Sequence, residues 1–210
     1  MSKKSEVKKI LDDFKEKKPL YDEFCLAVYK LLDSILADEE YKYQIFYRIK
    51  DFDKLEEKII RKEKEGVIYT KLEDLEDLAG LRILFYLESD KDNFVEKLLE
   101  KLTGEVVVKN HKKSSGYEAT HIITSFDKKR ISLSEYSKFE GLKCEIQLTS
   151  ILHHAWSEIE HDMIYKDAFS IAEKDKRKSN FIRKEMKKIL SEYLVKASAE
   201  LDRLVKKVRK

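Results

Sequence analysis

The chain has 210 residues, of which 42% are apolar and 40% charged, with a net charge of +3. A chain of that length forms one compact domain, or one domain with a helical extension, and its apolar share is ordinary for a globular core. Interspersed charge with so small a net value gives no global reason for a nucleic-acid partner, and no apolar run approaches the ~20 residues that cross a bilayer.

Cys25 and Cys144, the only cysteines, sit in apolar surroundings, as expected of a reduced cytoplasmic protein rather than a disulfide framework. The first residues, MSKKSEVKKILDDF, have no signal-peptide core. Residues 5–16 read as a helix, Pro19 as a break, and 20–40 as a second helix with Phe24, Ala27, Val28, Leu31, Leu32 and Ile35 on one face. Over 41–50 the period changes to two, with Tyr41, Tyr43, Ile45, Tyr47 and Ile49 alternating with polar residues, which predicts a half-buried strand. A helix follows with Asp53 as its cap. Residues 78–88 read as a central strand, followed by a helix capped by Ser89 or Asp90.

Short strands are predicted at 105–110, 117–126 and 143–148, with a polar loop, HKKSSG, before the second. Thr149 or Ser150 would cap the helix that runs to Lys166. Roughly 174–208 read as one amphipathic helix, with an apolar stripe from Ile182 to Val208 and a basic face of Lys184, Lys187, Lys188, Lys196, Lys206, Lys207, Arg209 and Lys210. Such a face is most simply solvated, with the stripe packed on its own domain or on a second copy; an RNA-docking arm is the sharper alternative. The element order predicts an α/β or α+β fold with a mixed sheet of about five strands. The expected parts are N-terminal helices (1–40), a catalytic unit (41–170) and a C-terminal basic helix (171–210).

Four stretches carry chemistry. Arg48 and Lys50 are two apart on a strand and share a face, and the next helix adds Lys54 and Lys58 at i and i+4. These cations could line a polyphosphate site, the chain having no glycine-rich phosphate loop, or could be surface charge. Asp77 stands at the entrance to the central strand, where a carboxylate can hold Mg²⁺ near phosphates, with Gly80 permitting close backbone approach. Tyr117 follows a basic loop and shares a strand face with His121; the ring could stack on a nucleobase, or both could belong to a core. Glu145 and Gln147 share one face of CEIQL and point to solvent or to a cleft. The helix after it, HHAWSEIEH, lacks the HExxH order of a zinc site. The pair His161-Asp162 lacks the all-helical setting of the HD phosphohydrolases.

In this order, YRIK…EEKIIRK, EDLEDLAGLRI, SSGYEATH and CEIQLTSILHHAWSEIEHDMIYK resemble the synthetase domain of the RelA/SpoT alarmone synthetases, particularly the small single-domain type, over about residues 40–166. The resemblance implies a nucleotidyltransferase-like fold and transfer of pyrophosphate from ATP to the 3′-hydroxyl of GDP or GTP, giving (p)ppGpp and AMP with Mg²⁺ as cofactor. It implies that Arg48 stacks on the adenine with Arg82 as second clamp, and that Lys50 and Lys58 hold ATP phosphates. Asp77 would bind Mg²⁺ and Tyr117 would stack on the acceptor base, with His121 and Lys113 at the acceptor's phosphates. Glu145 would contact the metal and act as general base, with Gln147 positioning substrate. Trp156 is expected in the core, with Glu158, Glu160 and His161 as hydrogen-bonding braces; His153 and His154 receive no role.

Three departures from the family pattern stand out: Lys54 where a Ser is frequent, Glu118 where an Arg is frequent, and Thr149 where another Arg is frequent. The last two imply weaker binding of a guanosine polyphosphate where those side chains face the cleft. The alternatives are a toxin-like member that modifies an adenine nucleotide or the 3′-CCA end of tRNA, and a non-catalytic interaction module. The terminal helices are the expected contacts of a homo-oligomer.

Overall fold

The structure, a computed structural model, describes residues 3–112, 118–165 and 176–209. Helix α1 (Lys3–Ala37) leads into β1 (Tyr43–Ile49), α2 (Phe52–Lys64), β2 (Ala79–Phe85), α3 (Glu88–Lys101), β3 (Val106–Lys112) and β4 (Glu118–Thr124). A short α4 (Lys128–Ile131) precedes β5 (Cys144–Ser150) and α5 (Ile151–Tyr165). Helix α6 (Lys176–Ile189) then passes through a π-helical stretch, Leu190–Leu194, into α7 (Val195–Val208). The strands form one five-stranded mixed sheet in the order β1-β2-β5-β4-β3, in which only β2 and β5 pair in parallel. This is the α/β class expected from the alternation of strand and helix patterns. No described helix is long and apolar enough to cross a membrane.

One face of the sheet carries Ala79, Leu81 and Ile83 of β2 and Cys144, Ile146 and Leu148 of β5, all buried with Phe24, Val28 and Leu32 of α1 in one core. The opposite face carries Gly80, Arg82, Glu145 and Gln147, which are only half-buried. Period-two patterning therefore assigns the dry side to α1 and leaves the other side for a site. Cys25 and Cys144 are free thiols, both buried in the dry core.

Four local expectations are corrected. Pro19 does not break α1. The ring removes the donor that would bond Lys15, but Lys15–Pro19 are all exposed, so that part of the helix is open to solvent. Ile10 and Phe14 on one side, and Tyr21 and Phe24 on the other, enter the same core, and this packing carries the helix through. The cap of α2 is Asp51, whose side chain accepts from the backbone N–H of Asp53. Ser89 and Asp90 lie inside the first turn of α3; they reach instead to Asp202 (2.8 Å) and Arg209 (3.0 Å). Thr149 and Ser150 end β5, which runs into α5 without a loop.

The tail differs too. The π-helical stretch rotates the apolar stripe between its two halves. Met186 and Leu190 pack on Trp156, whereas α7 turns Ser198, Asp202 and Val205 inward and leaves Leu201 44% and Leu204 55% exposed. Of the basic face, Arg209 is engaged by Asp90, and Lys210 lies outside the described residues.

Candidate active site

The half-buried face of the sheet is a grid set by register. Arg48 pairs with Gly80 and Gly80 with Glu145 in one row; Phe46, Arg82, Gln147 and His121 follow one another in the next. Paired residues project from the same side. The result is a cleft of about 270 Å³ lined by Phe46, Arg48, Asp77, Gly80, Arg82, Glu145, Gln147 and His154 among others.

Asp77 enters from the segment just before β2. The chain turns sharply from β1 into α2, with Lys50 N–H bonded to the Leu78 carbonyl at 2.9 Å and Asp51 capping the helix. That turn aims Lys50 and Lys58 at one carboxylate: Lys50 Nζ is 2.5 Å from Asp77 Oδ2 and Lys58 Nζ 2.8 Å from Oδ1. Burial pushes the Asp77 carboxyl up, but the Lys50 hydrogen bond and the close ammonium groups of both lysines outweigh it and hold it below its usual range. Lys54, on the same helix, is exposed and lies outside this contact.

Glu145 is held on both oxygens. His121 Nδ1 lies 3.1 Å from Oε1, and Gln147 Nε2 donates to Oε2 at 2.8 Å. Burial again pushes this carboxyl up; His121 and Gln147 bring it below its usual range, against the opposing charge of nearby Asp77. Both carboxylates are therefore ionised at neutral pH. Gln147 also accepts from Arg82 Nε at 3.2 Å, which joins the central strands across the cleft floor.

Asp77 and Glu145 are hard oxygen donors on one cleft, close enough to repel. Asp77 Oδ1, shielded from water, has a lysine at 2.8 Å but no aligned hydrogen bond. That donor set suits Mg²⁺, which takes one or two carboxylates and completes its shell with water and substrate phosphate. Among the described residues no cluster of three or more His, Cys, Asp or Glu stands ready as a preformed cage.

Of the residues marked from sequence, Arg48, Asp77, Arg82, Glu145 and Gln147 meet in the cleft, and Lys50, Lys58 and His121 attach to its two carboxylates. His121 is thus bonded to Glu145. Tyr117 and Lys113 lie outside the described residues, as does the Glu118 side chain. Thr149 is 2% exposed and does not line the cleft, so that departure from the family pattern touches packing and not the cleft wall. Trp156 is core, as expected, and donates to the Met186 carbonyl at 2.9 Å. Sequence reasoning missed His154 and Phe46 as lining residues. The available signal for His154 was helical phase: Trp156 turns inward, and a residue two positions away lies about 200° around the helix.

Residues 47–170, more than half of the chain, match the family described as a region found in RelA / SpoT proteins. The GTP pyrophosphokinase YwaC of Bacillus subtilis is 27% identical over 175 residues, covering 77% of this chain and 79% of its own. Small alarmone synthetase 2 of Bacillus subtilis superposes with a TM-score of 0.65 at 25% identity, over 91% of this chain and 98% of that one. Small alarmone synthetase 1 of the same organism, bound to its product pppGpp, superposes with a TM-score of 0.62 at 20% identity, over 95% and 97%; that likeness is one of fold.

Proposed function

Because the chain belongs to the RelA/SpoT family, we propose that it transfers pyrophosphate from ATP to the ribose 3′-hydroxyl of GDP or GTP, releasing AMP and (p)ppGpp. The observation that carries this reading is the convergence of two ionised carboxylates, two arginines and two lysines on one cleft. A guanine acceptor is supported by the relative named a GTP pyrophosphokinase. Nucleotide substrates of this kind support a cytoplasmic location.

Phosphoryl-type transfer asks for alignment and charge neutralisation more than covalent help. Arg48 and Arg82 stack on the adenine, and Lys50 and Lys58 take the ATP phosphates as they loosen from Asp77. Glu145 accepts the proton of the 3′-hydroxyl while its oxygen bonds to the β-phosphorus. The bond from that phosphorus to the α,β-bridging oxygen breaks, and AMP leaves with the electron pair. Gln147 and His121 keep the Glu145 carboxylate aimed during this step. Asp77 and Glu145 would hold Mg²⁺, which when bound neutralises phosphate charge.

The test is incubation with Mg²⁺ and ATP labelled at the β-phosphate, with GDP, GTP, ATP or deacylated tRNA offered separately. Label passes to the guanine nucleotides, and Glu145→Gln lowers the rate by about 10²–10⁴-fold. Label on tRNA or an adenine nucleotide, or transfer undiminished in the variant, overturns the reading.

A further inference from the structure

Helix α5 starts directly at the end of β5, so its first turns stand over the cleft. His154 and Glu158 are one turn apart on the same side of it. Glu158 Oε1 accepts from Arg82 Nη1 at 3.2 Å, and His154 Nδ1 lies 3.7 Å from the same oxygen. Arg82 is thereby held at two points, by Gln147 at Nε and by Glu158 at Nη1. Two anchors from different elements fix the plane of a guanidinium that lines the cleft. Burial and the Arg82 charge push the His154 imidazole down, so it stands neutral at pH 7 and brings no second cation to Glu158.

We propose that Glu158 is a positioning residue for the nucleotide base, setting the Arg82 guanidinium plane before ATP arrives. This rests on the ATP reading above. The pair's side chains are 32% and 55% exposed, so as an ion pair it adds little to stability. Its effect is preorganisation. An arginine free to rotate must be immobilised on binding, and a stacked planar contact is the geometry most sensitive to that freedom. The fold needs Glu158 little, whereas the nucleotide needs it more.

The experiment measures binding of a non-hydrolysable ATP analogue with Mg²⁺ by calorimetry, KM for ATP and for GTP, and the thermal midpoint, in wild type, Glu158→Ala and Glu158→Gln. Glu158→Ala weakens analogue binding and raises KM for ATP by about two- to tenfold, while KM for GTP and the thermal midpoint stay as in wild type. Glu158→Gln, which keeps an acceptor oxygen, recovers most of the loss. In an Arg82→Ala background Glu158→Ala has no further effect. Unchanged analogue binding, an equal loss for both substrates, or an effect that survives without Arg82 overturns the role of Glu158 while leaving the ATP reading intact. A wild-type protein that binds no analogue overturns both.

Discussion

Glu88 opens α3, but its carboxylate ties down α5. Its Oε2 lies 3.0 Å from His153 Nδ1, Lys91 bonds its Oε1, and Ser150 Oγ lies 3.1 Å from the same imidazole nitrogen. Burial pushes the Glu88 carboxyl up, yet the His153 hydrogen bond and the Lys91 charge bring it down from 4.5 to about 2. A depression of that size favours the folded, ionised form by about 3 kcal/mol, and with 22% of the side chain exposed little of this is screened away. Because the folded pKa is the lower one, the stabilisation is fully present above about pH 5 and is lost as pH falls towards 2. Glu88→Gln keeps the shape and removes the titration. The variant should be about 3 kcal/mol less stable than wild type at pH 7, with the gap narrowing to about 1 kcal/mol at pH 3. Urea unfolding of both proteins followed by circular dichroism at pH 7, 5, 4 and 3 measures that gap, since titrating groups that do not touch Glu88 cancel in the difference. A gap that stays constant across the range, or one below about 1 kcal/mol at pH 7, would refute the assignment of this carboxylate as an ionised anchor.

Two glycines make opposite predictions. A Cβ at Gly80 would sit 3.8 Å from the Arg48 and Glu145 carbonyl oxygens, an ordinary contact, so Gly80→Ala should leave the thermal midpoint unchanged or slightly raised. The added methyl would stand on the cleft floor between Arg48 and Glu145, and kcat/KM for ATP should fall about tenfold or more; normal kinetics would show that nucleotide does not approach this floor. A Cβ at Gly104 would fall 2.0 Å from the Ser125 carbonyl oxygen. The Ser125 backbone is tied back by its N–H on the Glu105 carbonyl, so Gly104→Ala should destabilise by about 2–3 kcal/mol in urea unfolding.

The legible part of this molecule is the part whose rule is short in range. Alternation over β2 and β5 announced strands, and the same alternation divided Leu81 and Ile146, which are buried, from Arg82 and Gln147, which face the cleft. The order of the four stretches then marked Asp77, Glu145 and their cations as one site. What escaped was decided by partners distant in sequence. Pro19 reads as a break locally, and only the shared core of Phe14 and Phe24 reverses that. Ser89 and Asp90 have the chemistry of caps, but Asp202 and Arg209, 113 and 119 residues away, claim their side chains. Capping is worth about 1 kcal/mol, so one competing buried contact suffices to redirect it. Glu158 belongs to the same class: its spacing from His154 is visible in sequence, but Arg82 is 76 residues away and chooses it through the fold. The charged groups of the cleft are thus readable as a set, while a partner such as Glu158 is selected by geometry. On the role proposed for Glu158, a substitution there tunes nucleotide affinity without touching the groups that react.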